Sequence, residues 1–141
     1  MILENILDLI YKMPENSKNN LIQHSTEVSL PKGHILLKAN RIEKKIYFIK
    51  KGVVRAFKPL EEKDITFWFG EEGATILSMK SYVENTKGYE NIELLEDCEL
   101  YEIKIETLNN LYQEDIHITN WGRKLAEIEL LKIESRMIAA E

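Results

Sequence analysis

The sequence predicts a mainly β fold, a jelly roll with helices at its ends, and three observations support this class. Short apolar segments recur between Ser29 and Ile103, and turn-forming residues such as Pro31-Lys32-Gly33 and Lys51-Gly52 separate them. Sustained helical periodicity occurs only toward the two ends of the chain. The last helical segment, residues 117–141, would be about 37 Å long, which is more than a small roll needs.

Composition limits the functional classes. The 141 residues fit one domain that buries its own core without disulfides. The net charge of −5 argues against nucleic acid as the partner of this segment, because phosphate binding needs a basic face. A single cysteine excludes an internal disulfide and is typical of a reducing cytoplasm. No apolar run reaches the length of a membrane span, so we expect a cytoplasmic domain without a membrane partner.

Residues 1–25 predict two helices that close one end of the roll. Pro14 separates them, because a proline cannot continue the helix before it. Ser17 is expected to cap the second helix. The apolar residues of the first helix share one face: Ile2, Leu3, Ile6, Leu7, Ile10 and Met13.

Residues 26–104 predict the roll itself. Its strands are expected to follow one another in antiparallel hairpins, and Lys51-Gly52 is the tightest of the turns. Asn40 lies where a left-handed backbone conformation is needed, which asparagine tolerates better than most other residues. The apolar strand segments are residues 29–37, 46–55, 64–70 and 91–103.

One stretch, residues 73–88, interrupts the strands and contains a short helical segment at residues 78–82. Ser78, Lys80 and Ser81 give that segment the chemistry to receive a small anion, although a solvated turn is the simpler interpretation. Tyr82 and Tyr89 either line an aromatic ligand site or belong to the core of the roll.

Residues 105–141 predict two helices, at 105–113 and 117–141. The apolar stripe of the second helix either packs on the chain's own roll or pairs two chains as in a coiled coil. We favour a homodimer, because the helix extends beyond the body that it can cover. The end of the segment, Arg136 to Glu141, consists of strong helix formers, so we expect the helix to continue into a further domain. The stripe consists of Trp121, Leu125, Ile128 and Leu131.

The order and spacing of these segments resemble the cyclic-nucleotide-binding sensor domain of the Crp/Fnr transcription regulators, from about Leu21 to the C-terminus. The matching pieces are LPKGHIL at residues 30–36, IYFIKKGVVR at 46–55 and LLEDCELYEI at 94–103. The sequence is particularly similar to the small, divergent Crp-like regulators of the Bacteroidetes. The resemblance implies a dimeric effector sensor that contacts DNA only through a C-terminal domain absent from these residues.

In that family a phosphate-binding cassette holds the cyclic nucleotide, with a Gly-Glu pair on the ribose and an arginine on the phosphate. Here the pair falls on Leu77-Ser78 and the arginine falls near Gly88-Tyr89, and Lys80 and Lys87 are the nearest cations. We therefore expect an effector other than cAMP or cGMP, or none, and no cofactor. The expected pocket residues are Thr75, Ile76, Leu77, Ser78, Met79, Lys80, Ser81, Tyr82, Lys87, Tyr89 and Ile133.

Two other classes remain as alternatives. A cupin-type metal enzyme is also a β-roll, but its chemistry needs two histidines one residue apart, and His24, His34 and His117 are scattered. We expect no catalytic residue and no metal site. A dimeric scaffold module without DNA-binding activity is the other alternative. Cys98 is interpreted as a strand residue rather than a redox sensor, because nothing basic flanks it.

Overall fold

A computed structural model describes residues 1–140, which form eight strands and five helices. Its helices are α1 Leu3–Ile10, α2 Glu15–Gln23, α3 Met79–Glu84, α4 Ile105–Glu114 and α5 Ile116–Ala140. Its strands are β1 Thr26–Leu30, β2 Ile35–Leu37, β3 Lys45–Lys51, β4 Val54–Lys58, β5 Ile65–Gly70, β6 Thr75–Ile76, β7 Asn91–Leu94 and β8 Cys98–Lys104. The expectation for the helix end at Glu141 lies outside the described residues.

The strands form two four-stranded antiparallel sheets. One sheet has the order β1-β8-β3-β6 and the other has the order β2-β7-β4-β5. Most neighbours in the sheets are distant in sequence, as when Tyr47 of β3 lies opposite Glu102 of β8. This is a jelly-roll arrangement with terminal helices, so the predicted fold class is confirmed.

The prediction that successive strands pair as hairpins is wrong at most turns. β3 and β4 lie in different sheets, so Lys51-Gly52 carries the chain from one sheet to the other. The links from β1 to β2 and from β7 to β8 do the same, whereas β4 and β5 form a true hairpin. A short glycine turn fixes only the reversal of the chain, and distant strands decide which neighbour each strand pairs with.

The individual turn residues have the conformations that the sequence predicts. Gly33 and Gly52 have φ values of +88° and +126°, and Asn40 has a φ of +64°. At Gly52 a Cβ atom would approach the Cys98 Sγ to 2.4 Å, so this corner has no space for a side chain. The Asn40 N–H donates to the Gly88 carbonyl at 2.9 Å, which holds the loop before β3 against the loop before β7.

The N-terminal helices pack against the junction of α4 and α5. Ser17 does not cap α2, because Pro14 occupies the position before the helix and Ser17 lies within it. Instead, the Ser17 hydroxyl donates to the Asp115 carboxylate at 2.6 Å. This bond lowers the pKa of Asp115 and fixes α2 to the start of α5.

The first half of α5 belongs to the chain's own core. Trp121 and Leu125 are 0% and 1% exposed, and the Trp121 ring meets Phe48 edge-on with centroids 6.1 Å apart. The Trp121 indole N–H donates to the Leu7 carbonyl at 3.3 Å. These two stripe residues, expected at a dimer contact, are therefore placed inside the single chain, and Ile128 packs partly against the same core.

Candidate ligand pocket

A cavity of about 110 Å³ lies between β5, β6, the start of α3, the segment before β7 and the second half of α5. Thr75, Ile76 and Leu77 form its floor, because β6 runs directly into the turn that begins α3. The helix α5 closes it from above. The lining residues are Trp68, Thr75, Ile76, Leu77, Met79, Tyr89, Glu90, Ile92, Glu129, Ile133 and Arg136.

Six of the eleven expected pocket residues line this cavity together. They come from three separate parts of the chain, and only the fold brings them to one place. The six are Thr75, Ile76, Leu77, Met79, Tyr89 and Ile133.

The two serines of the cassette hold its turn instead. The Ser78 hydroxyl accepts from the Ser81 N–H at 3.4 Å and thereby caps α3. The Ser81 hydroxyl donates to the Thr86 carbonyl at 2.9 Å and accepts from the Glu43 N–H at 3.0 Å. Their hydroxyls are engaged in holding α3 and its loop.

The two lysines also lie away from the cavity. Lys80 and Lys87 are exposed and line a separate cavity of about 330 Å³ together with Lys58. They therefore do not take the place of the cassette arginine at the inner cavity.

Tyr82 of α3 does not line the cavity. Its hydroxyl is 2.6 Å from the hydroxyl of Tyr112, and either tyrosine can be the donor. Burial raises the pKa of both phenols. A Cβ atom at Gly122 of α5 would approach the Tyr112 ring to 2.5 Å. Tyr82 thus ties α3 to α4, and Tyr112 packs closely on α5.

Sequence reasoning missed the charged residues of the cavity. Glu129 and Arg136 line it from α5 and Glu90 lines it from the segment before β7. The positions 129, 133 and 136 are separated by four and three residues, so they lie on one helix face. This spacing shows only that the three residues share a helix face, and the part of the roll that this face meets depends on how α5 crosses it.

Two cations of α5 lie over the Trp68 ring of β5. The Arg136 guanidinium carbon is 5.2 Å from the ring centroid and the Lys132 Nζ is 6.0 Å from it. Lys132 also forms an ion pair with Glu129 at 2.9 Å. Cation–π contacts of this kind are worth about 0.5–2 kcal/mol each. They hold the second half of α5 against the mouth of the cavity.

The carboxylate of Glu90 has a strongly raised pKa. Burial raises its pKa to about 7; the positive charge of Arg136 opposes this rise and the negative charge of Glu129 adds to it. Burial also raises the pKa of the neighbouring Tyr89 phenol, whose ring stacks on Phe67 with centroids 6.2 Å apart. The cavity is thus polar on one wall and aromatic on another.

The volume of the cavity limits what it holds. Typical small-molecule pockets have about 300–1,000 Å³, whereas this cavity has about 110 Å³. An engineered apolar cavity of about 150 Å³ accommodates benzene. With Arg136 in its present position, the cavity has no room for a nucleotide.

Residues 27–115, well over half of the chain, match the model of the cyclic nucleotide-binding domain. The chain belongs to this family. Cyclic nucleotide-binding domains are typically regulatory rather than catalytic. None of the curated protein sequences matches this chain.

Solved structures share the fold of this cyclic nucleotide-binding domain at low sequence identity. A cyclic nucleotide-binding domain from Methylobacillus flagellatus has a TM-score of 0.84 at 14% identity, with 95% of this chain and 78% of that chain covered. The Thermus thermophilus catabolite activator protein has a TM-score of 0.76 at 15% identity over 94% of this chain. The regulatory domain of Toxoplasma gondii PKA, crystallised with cAMP, has a TM-score of 0.70 at 18% identity over 77% of this chain.

This chain spans only 62% of the Thermus chain and 42% of the Toxoplasma chain.

No helix within residues 1–140 has the length and hydrophobicity that a membrane span requires. In the same part of the chain, no group of three or more His, Cys, Asp or Glu side chains is placed to hold a metal ion.

Proposed function

We propose that the chain is the effector-sensing and dimerisation domain of a Crp/Fnr-type transcription regulator, and that its cassette does not bind cAMP or cGMP in the usual way. Membership of the cyclic nucleotide-binding domain family and the likeness to the catabolite activator fold support the first part. The nearer similarity to Bacteroidetes regulators stays a prediction from the sequence.

The charge of the cavity wall is the observation that supports the absence of the usual cAMP or cGMP binding. Leu77-Ser78 and Gly88-Tyr89 stand where the family has its ribose and phosphate ligands, and two carboxylates, Glu90 and Glu129, line the cavity. A hydrogen bond to a charged group contributes roughly 1.5–3 kcal/mol. The loss of both contacts, roughly 3–6 kcal/mol together, lowers the affinity for cAMP by about two to four orders of magnitude.

Exposed apolar residues on the second half of α5 support dimerisation. Trp121 and Leu125 are already buried within the chain, so a second copy would contact the outer face of this half. Leu130 and Met137 are seven residues apart, as are Leu131 and Ile138, which is the repeat of a coiled-coil seam. Their exposed fractions are 67% for Leu130, 61% for Leu131, 66% for Met137 and 63% for Ile138.

DNA contact belongs to a further domain in this proposal, with α5 as the element that carries the state of the sensor to it. The 141 residues have a net charge of −5, which opposes binding to duplex DNA. A dimeric scaffold without an effector is the second candidate, and the small volume left beside Arg136 favours it. A ligand that shifts the dimer equilibrium would exclude the scaffold.

Isothermal titration calorimetry with cAMP and with cGMP tests the proposal. We expect no heat of binding up to millimolar nucleotide, because the family's ribose and phosphate ligands are missing and Glu90 and Glu129 line the cavity beside Arg136. A dissociation constant in the micromolar range or below for either nucleotide would overturn this interpretation of the cassette. Electrophoretic mobility of duplex DNA with the 141-residue chain at low salt should remain unchanged.

A further inference from the structure

The inner cavity contains a carboxylate that the fold leaves without a donor. Hydrogen bonds make no contribution to the shift of the Glu90 pKa, which arises from burial and from the charges of Arg136 and Glu129. Glu90 lines the cavity, and no hydrogen bond or ion pair within residues 1–140 involves its carboxylate oxygens. These oxygens are not fully enclosed, because every fully buried side-chain nitrogen or oxygen of the same residues has a partner. A desolvated carboxylate of this kind is stabilised by a charged donor.

We propose that the cavity is a binding site for a small organic cation, an ammonium or guanidinium group on a small molecule, and that Arg136 occupies this site when no ligand is bound. This inference rests on the proposed function, since it takes the cavity to be the effector pocket. The proposed ligand is a cation, whereas the family's cassette receives an anionic cyclic nucleotide.

The walls of the cavity match the chemistry of an organic cation. Trp68 and Tyr89 provide aromatic faces, which attract cations through their quadrupoles. Glu90 provides a carboxylate without a fixed partner, whereas Glu129 is already paired with Lys132 at 2.9 Å. A phosphate or carboxylate ligand would instead meet the charges of both glutamates.

The Arg136 side chain, which is attached to α5, lies where the proposed organic cation would bind. Its guanidinium carbon lies 5.2 Å from the Trp68 centroid, and its charge reaches both Glu90 and Tyr89, whose pKa values it lowers. It nevertheless forms no ion pair with Glu90 within 4.0 Å in the described part of the chain. A free cation is not restrained by α5 and approaches Glu90 more closely, so it competes with Arg136.

Competition with Arg136 links the ligand to α5. Arg136 and Ile133 face the cavity, whereas Leu130 and Met137 face outward on the same half of the helix. A cation that displaces Arg136 removes one of the contacts that hold this half on the roll. The ligand and the docked helix then exclude each other, which is the differential affinity that a conformational switch requires.

The test uses n-propylguanidinium chloride, which copies the end of an arginine side chain, and the variant Arg136→Ala, which vacates the site. N-propylurea has nearly the same shape and no charge, so it separates charge from size. Arg123→Ala is the matched control, because Arg123 lies on the same helix, is exposed and pairs only with Glu127. Binding is measured by calorimetry and by the indole N–H resonance of Trp68.

We expect Arg136→Ala to bind n-propylguanidinium at least about tenfold more tightly than the unaltered protein or Arg123→Ala. N-propylurea should bind Arg136→Ala at least about tenfold more weakly than the cation, and adding Glu90→Gln should remove the preference for the cation. Equal affinities for the cation and the urea, or equal affinities of Arg136→Ala and Arg123→Ala, would overturn the proposal.

Two further measurements keep the result interpretable. If circular dichroism shows that Arg136→Ala is unfolded, Arg136→Met keeps the aliphatic stem and the same comparison applies. A parallel titration with cAMP separates the two proposals. Micromolar binding of cAMP would refute the proposal that the cassette does not bind cAMP in the usual way. Absence of binding by both cAMP and n-propylguanidinium would refute only the cation site.

Discussion

The two halves of α5 differ in what holds them. In the first half, Trp121 and Leu125 are buried among α1, α4 and the roll, and Gly122 lies against Tyr112. In the second half, large apolar side chains are exposed, and the contacts to the roll are Ile133 and the charged residues at the mouth of the cavity. One continuous helix therefore combines a half that belongs to the core with a half that is largely exposed.

The largest expected effect is loss of the Trp121 side chain. Trp121→Ala should lower the free energy of unfolding by about 3–5 kcal/mol, because it leaves a cavity between Phe48 and α1. Leu131→Ala, at an exposed position of the second half, is the matched control and should change it by less than about 0.5 kcal/mol. Urea denaturation measures both, and similar losses for the two variants would abolish the distinction between the halves.

The next largest effect on stability is expected at Glu90, which lines the cavity beside the second half of α5. The pKa of Glu90 rises from 4.5 to about 7 on folding, so between these values the folded protein holds a proton that the unfolded chain has released. Stability should therefore fall as the pH rises from 4.5 to 7 and then stay level. Glu90→Gln removes this loss and should be up to about 3 kcal/mol more stable than the unaltered protein at pH 8.

Urea denaturation of the pair at pH 4.5 and at pH 8 checks the prediction about Glu90. At the lower pH the two proteins should differ little, because Glu90 is then protonated in the folded protein. Glu93→Gln is unsuitable as a control, since Glu93 pairs with Arg55 at 2.7 Å. Glu134→Gln, on the exposed part of α5, is suitable. A larger stability gain at pH 4.5 than at pH 8 would contradict the burial of an ionising Glu90.

A smaller effect is expected at Gly122 in the first half. Gly→Ala in a helix normally stabilises by about 1 kcal/mol, but here the new methyl group would approach the Tyr112 ring to 2.5 Å. Gly122→Ala should therefore destabilise by about 1–3 kcal/mol. The double variant Gly122→Ala, Tyr112→Leu tests the cause, because it should recover part of the loss. A stabilised single variant would show that this half is loosely packed.

The smallest effect on the stability of the single chain should come from the outer face of the second half. Leu130→Glu with Met137→Glu places charges in the proposed seam and should lower the dimer fraction in sedimentation, while the unfolding of the monomer changes by less than about 0.5 kcal/mol. Lys124→Glu, outside the seam, is the control. Monomeric behaviour of the unaltered protein at tens of micromolar would reject the seam.

Local signals in the sequence predict the terminal helices and the conformations of the turn residues. They do not predict the short strand β6, which lies in the stretch expected to interrupt the strands. Gly33, Gly52 and Asn40 have the positive φ values that their residue types and positions indicate. The pairing of strands was not predictable in this way, because β3 pairs with β8 and β6 rather than with the strand that follows Lys51-Gly52. Sheet partners are chosen by burial of whole faces, and a turn carries no information about distant strands.

Local sequence patterns likewise predict only some of the residues that line the candidate pocket. The resemblance to the family's cassette indicates the residues of β6 and the start of α3, and it also indicates Ile133. Arg136 and Glu90 were missed, since their proximity depends on how α5 crosses the roll, which no local pattern records. Lys80 and Lys87 were assigned to the pocket because they are close in sequence, yet the chain turns them outward.

The Cys98 thiol beside Gly52 offers a way to follow local opening of the roll. The Cys98 thiol is covered by this glycine and its S–H points to the Glu96 carbonyl at 3.3 Å, while burial raises its pKa. Cys98 is 2% exposed, and a buried thiol with a raised pKa forms little thiolate, so the folded protein should react slowly with a thiol reagent. We expect the labelling rate to rise when the roll opens locally at this corner.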